Sequence, residues 1–370
     1  MREKRWVSIA SAIKVAIRSG ELAAGARIAS EVEMASQWNV SPMTVHRALT
    51  ELQREGWVVR RRKAGTVVAD RSALPPARIA LIFTALSELP QGAYLSAIEE
   101  SLSEGYQLLP LSTSHDAREE ARCFERVLAE CHAVICYPTG APENTPLLKK
   151  IAAAMPLVLV DRVPEGVEAD SIMTDNFGSM LLGLRHLREI GHTRIAYFME
   201  DQTTVSSVRE RRAAYEEFLR RETGASDPAR WERCFPNAMP LEQYYERVEI
   251  ALAEMLSEPE PITAVACQQD MAMSTVLEAC VHMGVRVPED LAVLSFSDLP
   301  MRLQPLSRSV YRLVQRPVEM GHIAARRIQM RLSAPDLPPQ AMRLMTDFYP
   351  AASYPLSDAA RALMARRAAG

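Results

Sequence analysis

The chain has 370 residues, of which 48% are apolar and 24% charged, enough for two or three domains with full hydrophobic cores. That balance excludes wholesale disorder and any need for disulfide or metal staples. No run approaches ~20 uncharged apolar residues, and the opening MREKRW leads into no secretory segment, so a cytoplasmic protein without membrane contact is expected. The net charge of −3 is a sum over unlike parts. Residues 1–72 hold thirteen Lys and Arg against seven Asp and Glu, a net +6, which leaves −9 for the remainder. A small basic head on a large acidic body points to a polyanionic partner for the head alone.

In chain order, RWVSIASAIKVAIRSG (5–20) carries Trp6, Ile9, Ile13 and Ile17 on one helical stripe ending at Gly20. A second helix starts after Ser30, with Glu33 completing a capping box, and ends near Trp38-Asn39. Ser41 caps a third helix whose first residue is Pro42. GWVVRRRKAGTVVAD (56–70) reads as a hairpin of Trp57–Arg60 and Thr66–Ala69. Pro75-Pro76 then closes the head, and residues 71–76 form a linker.

Beyond it β-type runs alternate with amphipathic ones, the pattern of parallel α/β domains. Strands are predicted at 77–84, 106–113, 133–138, 156–163, 193–199, 262–268 and 291–297. Helices are predicted at 93–105, 119–130, 145–154, 178–191, 209–222, 241–256 and 270–284. The tail 353–370 is left unassigned.

The third helix of the head has an apolar back (Val45, Ala48, Leu49, Leu52) and a front bearing Met43, Arg47 and Arg54. A short turn leading into such a helix is the helix-turn-helix pattern. The hairpin tip adds Arg61, Arg62 and Lys63, a basic wing suited to phosphates or the minor groove. With these residues, the head resembles the winged helix of GntR-type bacterial regulators. Ser30, Glu31, Ser41, Thr44, Arg47, Gly65 and Thr66 match that family's pattern. Val32, Pro42 and His46 stand where the pattern has arginines, which leaves fewer guanidinium forks for guanine. The resemblance implies operator contacts from these positions, His46 and Met43 included.

The body, residues 77–352, resembles the periplasmic-binding-protein-like sensor of LacI/GalR-type regulators. The carriers are VLVDRV (158–163), TDNFGSMLLGLRHLREIGHTRIAYF (174–198), SSVRERRAAYEEF (206–218), CQQDMAMSTVLEACVHMGVRVPEDLAVLSFSDLP (267–300) and PLSRSVYRLVQRPVEMGHIAARRI (305–328). The resemblance implies two α/β lobes around a ligand cleft, with crossovers near 173, 314 and 343. Lobe 1 would take about 77–173 and 316–343, and lobe 2 about 174–312 and 344–352. It implies ligand contacts from Asp161, Ser207, Arg211, Gln269, Ser297 and Asp298. Gln269 replaces a shorter Asn of the relatives, and Ser297 replaces an Asp that grips sugar hydroxyls. Phe83, Tyr94, Tyr137 and Phe296 are candidate stacking walls.

The six cysteines include no C-x-x-C pair and are expected to stay reduced. No G-x-G, G-K-[ST], G-x-S-x-G or H-E-x-x-H occurs, and no nucleophile–base–orienter set or metal cluster is legible. The expectation is therefore a non-enzymatic repressor without cofactor, dimeric on a pseudo-palindromic operator and controlled by a sugar-like molecule. A ligand-binding module with non-specific DNA affinity is the alternative.

Overall fold

A computed structural model of the chain describes residues 5–18, 20–54, 56–61, 65–70, 76–86, 89–103, 105–202, 204–223, 230–236, 239–297 and 309–351. Arg62, Lys63, Asp298 and the tail 353–370 lie outside the described residues.

The head contains α1 (Arg5–Arg18), α2 (Glu31–Gln37), α3 (Pro42–Arg54), β1 (Val58–Arg61) and β2 (Gly65–Val68). Its helices form because their apolar positions recur at helical spacing and meet in one core. Ile9, Ile13, Met34, Val45, Leu49 and Leu52 pack there with Trp57, Val58 and Val68 of the hairpin. The capping box at Ser30 is complete: Glu33 N donates to Ser30 Oγ, and Ser30 N donates to Glu33 Oε2 at 2.7 Å. These bonds hold the Glu33 carboxyl below its ordinary range. β1 and β2 pair antiparallel with Arg61 opposite Gly65. Residues 25–28 lie along β2 as a further extended piece, with Ile28 N donating to Thr66 O and Val68 N to Ala26 O. No apolar alternation announced that piece in the sequence.

The body is two doubly wound sheets. The first run comprises β3 (Ala77–Phe83), α4 (Leu89–Ser101), β4 (Tyr106–Ser112), α5 (Ala117–Glu130), β5 (Ala133–Cys136), α6 (Thr145–Ala154), β6 (Leu157–Val160) and β7 (Asp170–Thr174). The second comprises α7 (Asn176–Glu189), β8 (Ile195–Glu200), α8 (Ser206–Phe218), β9 (Glu232–Phe235), α9 (Leu241–Leu256), β10 (Ala264–Cys267), α10 (Asp270–Met283), β11 (Ala292–Ser297) and β12 (Tyr311–Val314). The chain then returns through α11 (Pro317–Ser333) and β13 (Ala341–Leu344) to the first sheet and through β14 (Asp347–Tyr349) to the second.

Lobe 1 has the strand order β4-β3-β5-β6-β7-β13, all parallel. Lobe 2 has β9-β8-β10-β11-β12-β14, parallel except for β14. The chain changes sheet at 174–176, 314–317 and 344–347. Strands buried on both faces need apolar runs rather than alternation, and ALIF, AVIC, LVLV and AVAC supply them. α4 and α11 cover one face of lobe 1, and α5 and α6 the other. In lobe 2, α7 and α8 lie opposite α9 and α10.

Two glycines seat the helices that follow the first two crossovers. A Cβ on Gly183 of α7 would stand 2.8 Å from Leu294 Cδ2, and one on Gly321 of α11 would stand 2.8 Å from Ala97 Cβ. At Gly321 the neighbours are Ala97 Cβ and the Tyr94 backbone, which leave room for hydrogen alone, and at Gly183 they are leucine side-chain ends, so both helices lie close on their lobes.

Several expected boundaries are corrected. α4 runs from 89 to 101, not 93 to 105. Pro90 is accommodated in its first turn, and Gln329 of α11 donates to the Ser101 carbonyl at 3.0 Å. Gly105, at φ +92°, turns the chain into β4 instead of ending the helix. α8 begins at 206 rather than 209 and passes into a wider turn, Leu219–Thr223. The strands β7, β9, β12, β13 and β14 and the helix α11 are absent from the predicted elements. β7 begins with Asp170, buried by an ion pair to Arg327 at 2.5 Å. β9 is a short edge strand, the kind that carries charge to deter further pairing.

Candidate functional site

The head presents α3 with its back buried and its front free. Ser41 Oγ and Thr44 Oγ1 are 2.8 Å apart, and Thr44 N donates to Ser41 Oγ, so these two residues cap α3 rather than project from it. Met43 is 74% exposed. Arg47, one turn on, is exposed and lies with Cζ 4.8 Å from the Trp6 ring centroid. Glu31 links α2, α3 and the wing: its Oε1 is 2.9 Å from His46 Nδ1 and accepts from Arg60 at 2.8 Å. Arg61 and Gly65 face each other across the hairpin, and Gly65 takes φ +75°. Thr66 is half-buried, its carbonyl held by Ile28.

In the body, each sheet reverses its winding between two strands, and ligands of such folds lie at the carboxyl ends of the strands there. In lobe 1 that point is between β3 and β5, in lobe 2 between β8 and β10. Three aromatic rings stand behind the lobe 1 crevice. Phe83 ends β3, Tyr137 follows β5, and Tyr94 comes from α4, with ring centroids 6.0–6.4 Å apart. Phe83 and Tyr94 are packed inside the lobe, and Tyr94 Oη donates to Met320 Sδ at 3.3 Å. Arg162 lies with Cζ 4.7 Å from the Tyr137 centroid. Asp161, at the end of β6, is only 3% exposed and takes φ +64°, a left-handed backbone that side-chain-bearing residues seldom adopt. Its nearest cation is Arg162, at 3.5 Å. Held strain of this kind concentrates at functional positions.

The lobe 2 crevice is polar. Arg211 of α8, buried, donates from Nε to Asn176 Oδ1 at 2.8 Å and from Nη1 to the Gln268 carbonyl at 2.9 Å. Its guanidinium lies 3.7 Å from the Phe296 ring centroid. Asn176 sits at the first crossover, so Arg211 ties the crevice to the link between the lobes. Glu200 ends β8 and is buried. Its backbone N–H donates to Gln268 Oε1 at 2.8 Å, and Gln202 donates to its carboxylate at 3.0 Å. Burial raises its pKa, opposed by hydrogen bonds from Gln269 and Gln202. Ser297 donates to Asp270 Oδ1 at 2.6 Å. Ser207 is buried in the first turn of α8.

The lobes touch around these crevices. Val163 N donates to Ser206 Oγ at 3.0 Å, Thr174 Oγ1 donates to Gln315 Oε1, and Arg343 grips Glu210 with two bonds of 2.8 Å. Asp161, Arg211 and Gln269 thus stand at carboxyl ends of strands or on helices beside them, whereas Phe83, Tyr94 and Phe296 belong to the cores behind. Glu200 was absent from the sequence reading, which ended its strand one residue early. Gln268 and Asn176 are not among the expected site residues. A carboxylate at the reversal of winding was the signal that could have found Glu200. Among the described residues, no group of three His, Cys, Asp or Glu is placed to hold a metal ion, and no helix is long and apolar enough to cross a membrane.

Residues 7–68 match the family "Bacterial regulatory proteins, gntR family", and residues 184–353 match "Periplasmic binding protein-like domain". The chain therefore joins a GntR-type, DNA-binding helix-turn-helix domain to a periplasmic-binding-protein-like domain. Among its relatives, the "Arabinose metabolism transcriptional repressor" of Halalkalibacterium halodurans is 29% identical over 346 residues, 88% of each chain. The crystal structure of the transcription regulator CcpA of Lactococcus lactis covers 74% of this chain and 98% of its own, with a TM-score of 0.64 at 19% identity. The transcriptional regulator CelR in complex with cellobiose covers 93% of this chain and 98% of its own, with a TM-score of 0.62 at 20% identity.

Proposed function

We propose that this chain is a transcriptional repressor whose hold on operator DNA is set by a sugar or sugar derivative bound between the two lobes. The observation that carries the reading is Arg211. It is a buried guanidinium on the wall of the lobe 2 crevice, bonded at once to the Gln268 carbonyl and to Asn176 at the crossover. A ligand that recruits this fork acts on the link between the lobes, and differential contact with two lobe arrangements is what shifts a population. Asp161 follows β6 of lobe 1, and Glu200 and Gln269 stand at or just past the ends of β8 and β10 of lobe 2. Together they offer acceptors and donors for hydroxyl groups. Convergent polar groups at the mouths of two crevices suit a ligand rich in hydroxyl groups.

The names of the relatives support a sugar effector, since one concerns arabinose metabolism and another is a cellobiose complex. On the DNA side, Arg47, Arg61, Arg62 and Lys63 would meet phosphates while α3 enters the major groove. The chain acts as a homodimer, matching two half-sites. Localisation follows the DNA, in the cytoplasm.

The test has two arms. Unfolding temperature is measured against a panel of pentoses, hexoses, disaccharides and uronic acids, since a ligand of the folded state raises it by mass action. Ligands that shift it are then added to the protein bound to the region upstream of its own gene. Release of the DNA is expected. Equal affinity for that region and for scrambled DNA overturns the repressor reading, and chemical conversion of the bound sugar overturns the non-enzymatic one.

A further inference from the structure

The DNA-facing side of the head carries apolar side chains where charged ones would be expected. Met43, second residue of α3, is 74% exposed, and Val32, in the first turn of α2, is 71% exposed. Neither belongs to the core of the head, which is complete without them. Met43 stands opposite the buried Val45 and one turn before Arg47. The Glu31–His46 contact of 2.9 Å holds the first turn of α2, which carries Val32, against α3. The setting is basic, with Arg47, Arg60 and Arg61 around the patch. Of the two carboxylates in that turn, Glu31 accepts from Arg60 at 2.8 Å and Glu33 from the Ser30 backbone N–H at 2.7 Å.

An apolar patch ringed by cations fits a surface that is polyanionic at its edges and apolar at one point. The major groove of duplex DNA has that character. The phosphates flank it, and the 5-methyl group of thymine is the single apolar feature that bases display there. We infer that Met43, with Val32 beside it, reads thymine methyl groups in the major groove, so that the operator is specified at those positions by thymine and not by guanine. This rests on the operator-binding reading above and deepens it. Methionine suits the role because its unbranched, polarisable thioether adapts to a contact of one methyl group.

The experiment uses the full chain. Duplexes are selected from a random pool, and each thymine of the selected site is replaced singly by deoxyuridine, which removes the 5-methyl group and nothing else. Dissociation constants are measured by fluorescence anisotropy at fixed salt. One or two positions per half-site are expected to weaken by about fourfold, the worth of one buried methyl group. In Met43→Ala or Val32→Ala the penalty at the corresponding thymine disappears, while the salt dependence set by phosphate contacts stays as in the parent. Both side chains lie outside the core, and unchanged unfolding temperatures of the variants verify that they fold. Uniform indifference to deoxyuridine in a well-selected site overturns this inference and leaves operator binding standing. So does a penalty that survives Met43→Ala combined with Val32→Ala. Failure of the pool to yield any preferred sequence overturns both readings together.

Discussion

The two lobes share one winding and use it differently. At the start of β7 in lobe 1 a buried charge is matched by charge: Asp170 meets Arg327 at 2.5 Å and accepts from Gln340 N at 2.9 Å, far from the carboxyl ends of the strands. In lobe 2 the buried carboxylate of Glu200 stands at the carboxyl end of β8 and has amides rather than a cation as its hydrogen-bonding partners. A buried carboxylate that meets two guanidinium groups, Arg327 and Arg331, is a structural fastening. A buried acid held by amides alone stays poised for something else. Partner and place together separate the fastening from the site, since the buried Glu120 of lobe 1 is also held by neutral donors, Thr139 and Asn144, and ties down the loop after β5.

The contrast can be broken most forcefully at the fastening. Asp170→Ala leaves Arg327 as an uncompensated charge that is only 4% exposed and is expected to cost about 3–5 kcal/mol, read as a fall in the urea midpoint. Equal stability would show that the pair is not what holds α11 to β7. Arg211→Ala comes next. It removes charge-assisted bonds worth roughly 1.5–3 kcal/mol each and is expected to abolish every sugar-induced thermal shift; shifts that persist would remove Arg211 from the ligand site.

At Glu200 the sign reverses. Its pKa is raised on folding by burial, so its stabilising contribution is complete below its ordinary range and is lost as pH rises through the raised value. Glu200→Gln should therefore unfold at a higher temperature than the parent at neutral pH, with the gain shrinking toward zero at pH 4. A pH-independent difference would contradict the burial argument. The smallest effect is expected at Tyr137→Leu, which removes the Arg162 stacking contact. A loss of about 0.5–1 kcal/mol in stability or ligand affinity would be read by the same thermal assay.

The alternation of apolar runs with amphipathic ones announced a parallel α/β body, and the caps at Ser30 and Ser41 announced the head, because those signals are local. What stayed hidden depended on distant partners. β7 is invisible without Arg327, since an Asp opening a five-residue strand reads as a loop. The end of α4 depends on Gln329, more than two hundred residues away in sequence. Glu200 was missed because FMEDQ reads as a strand running out into a polar loop. Only the strand order places its last residue beside Gln268. Asp161 was legible through resemblance, but its left-handed backbone was not, since nothing local demands it.

Gly183 and Gly321 carry a mechanical consequence. Each lets the helix just after a crossover lie close against its lobe, Gly321 against Ala97 Cβ and the Tyr94 backbone and Gly183 against leucine side-chain ends, which leaves these helices little play to absorb a change of lobe angle. Any such rotation must then be confined to residues 174–176, 314–317 and 344–347, three short segments acting as parallel pins. A larger side chain at either glycine would add slack to a joint that now has almost none, and a ligand would lose its leverage before the lobes lost their shape.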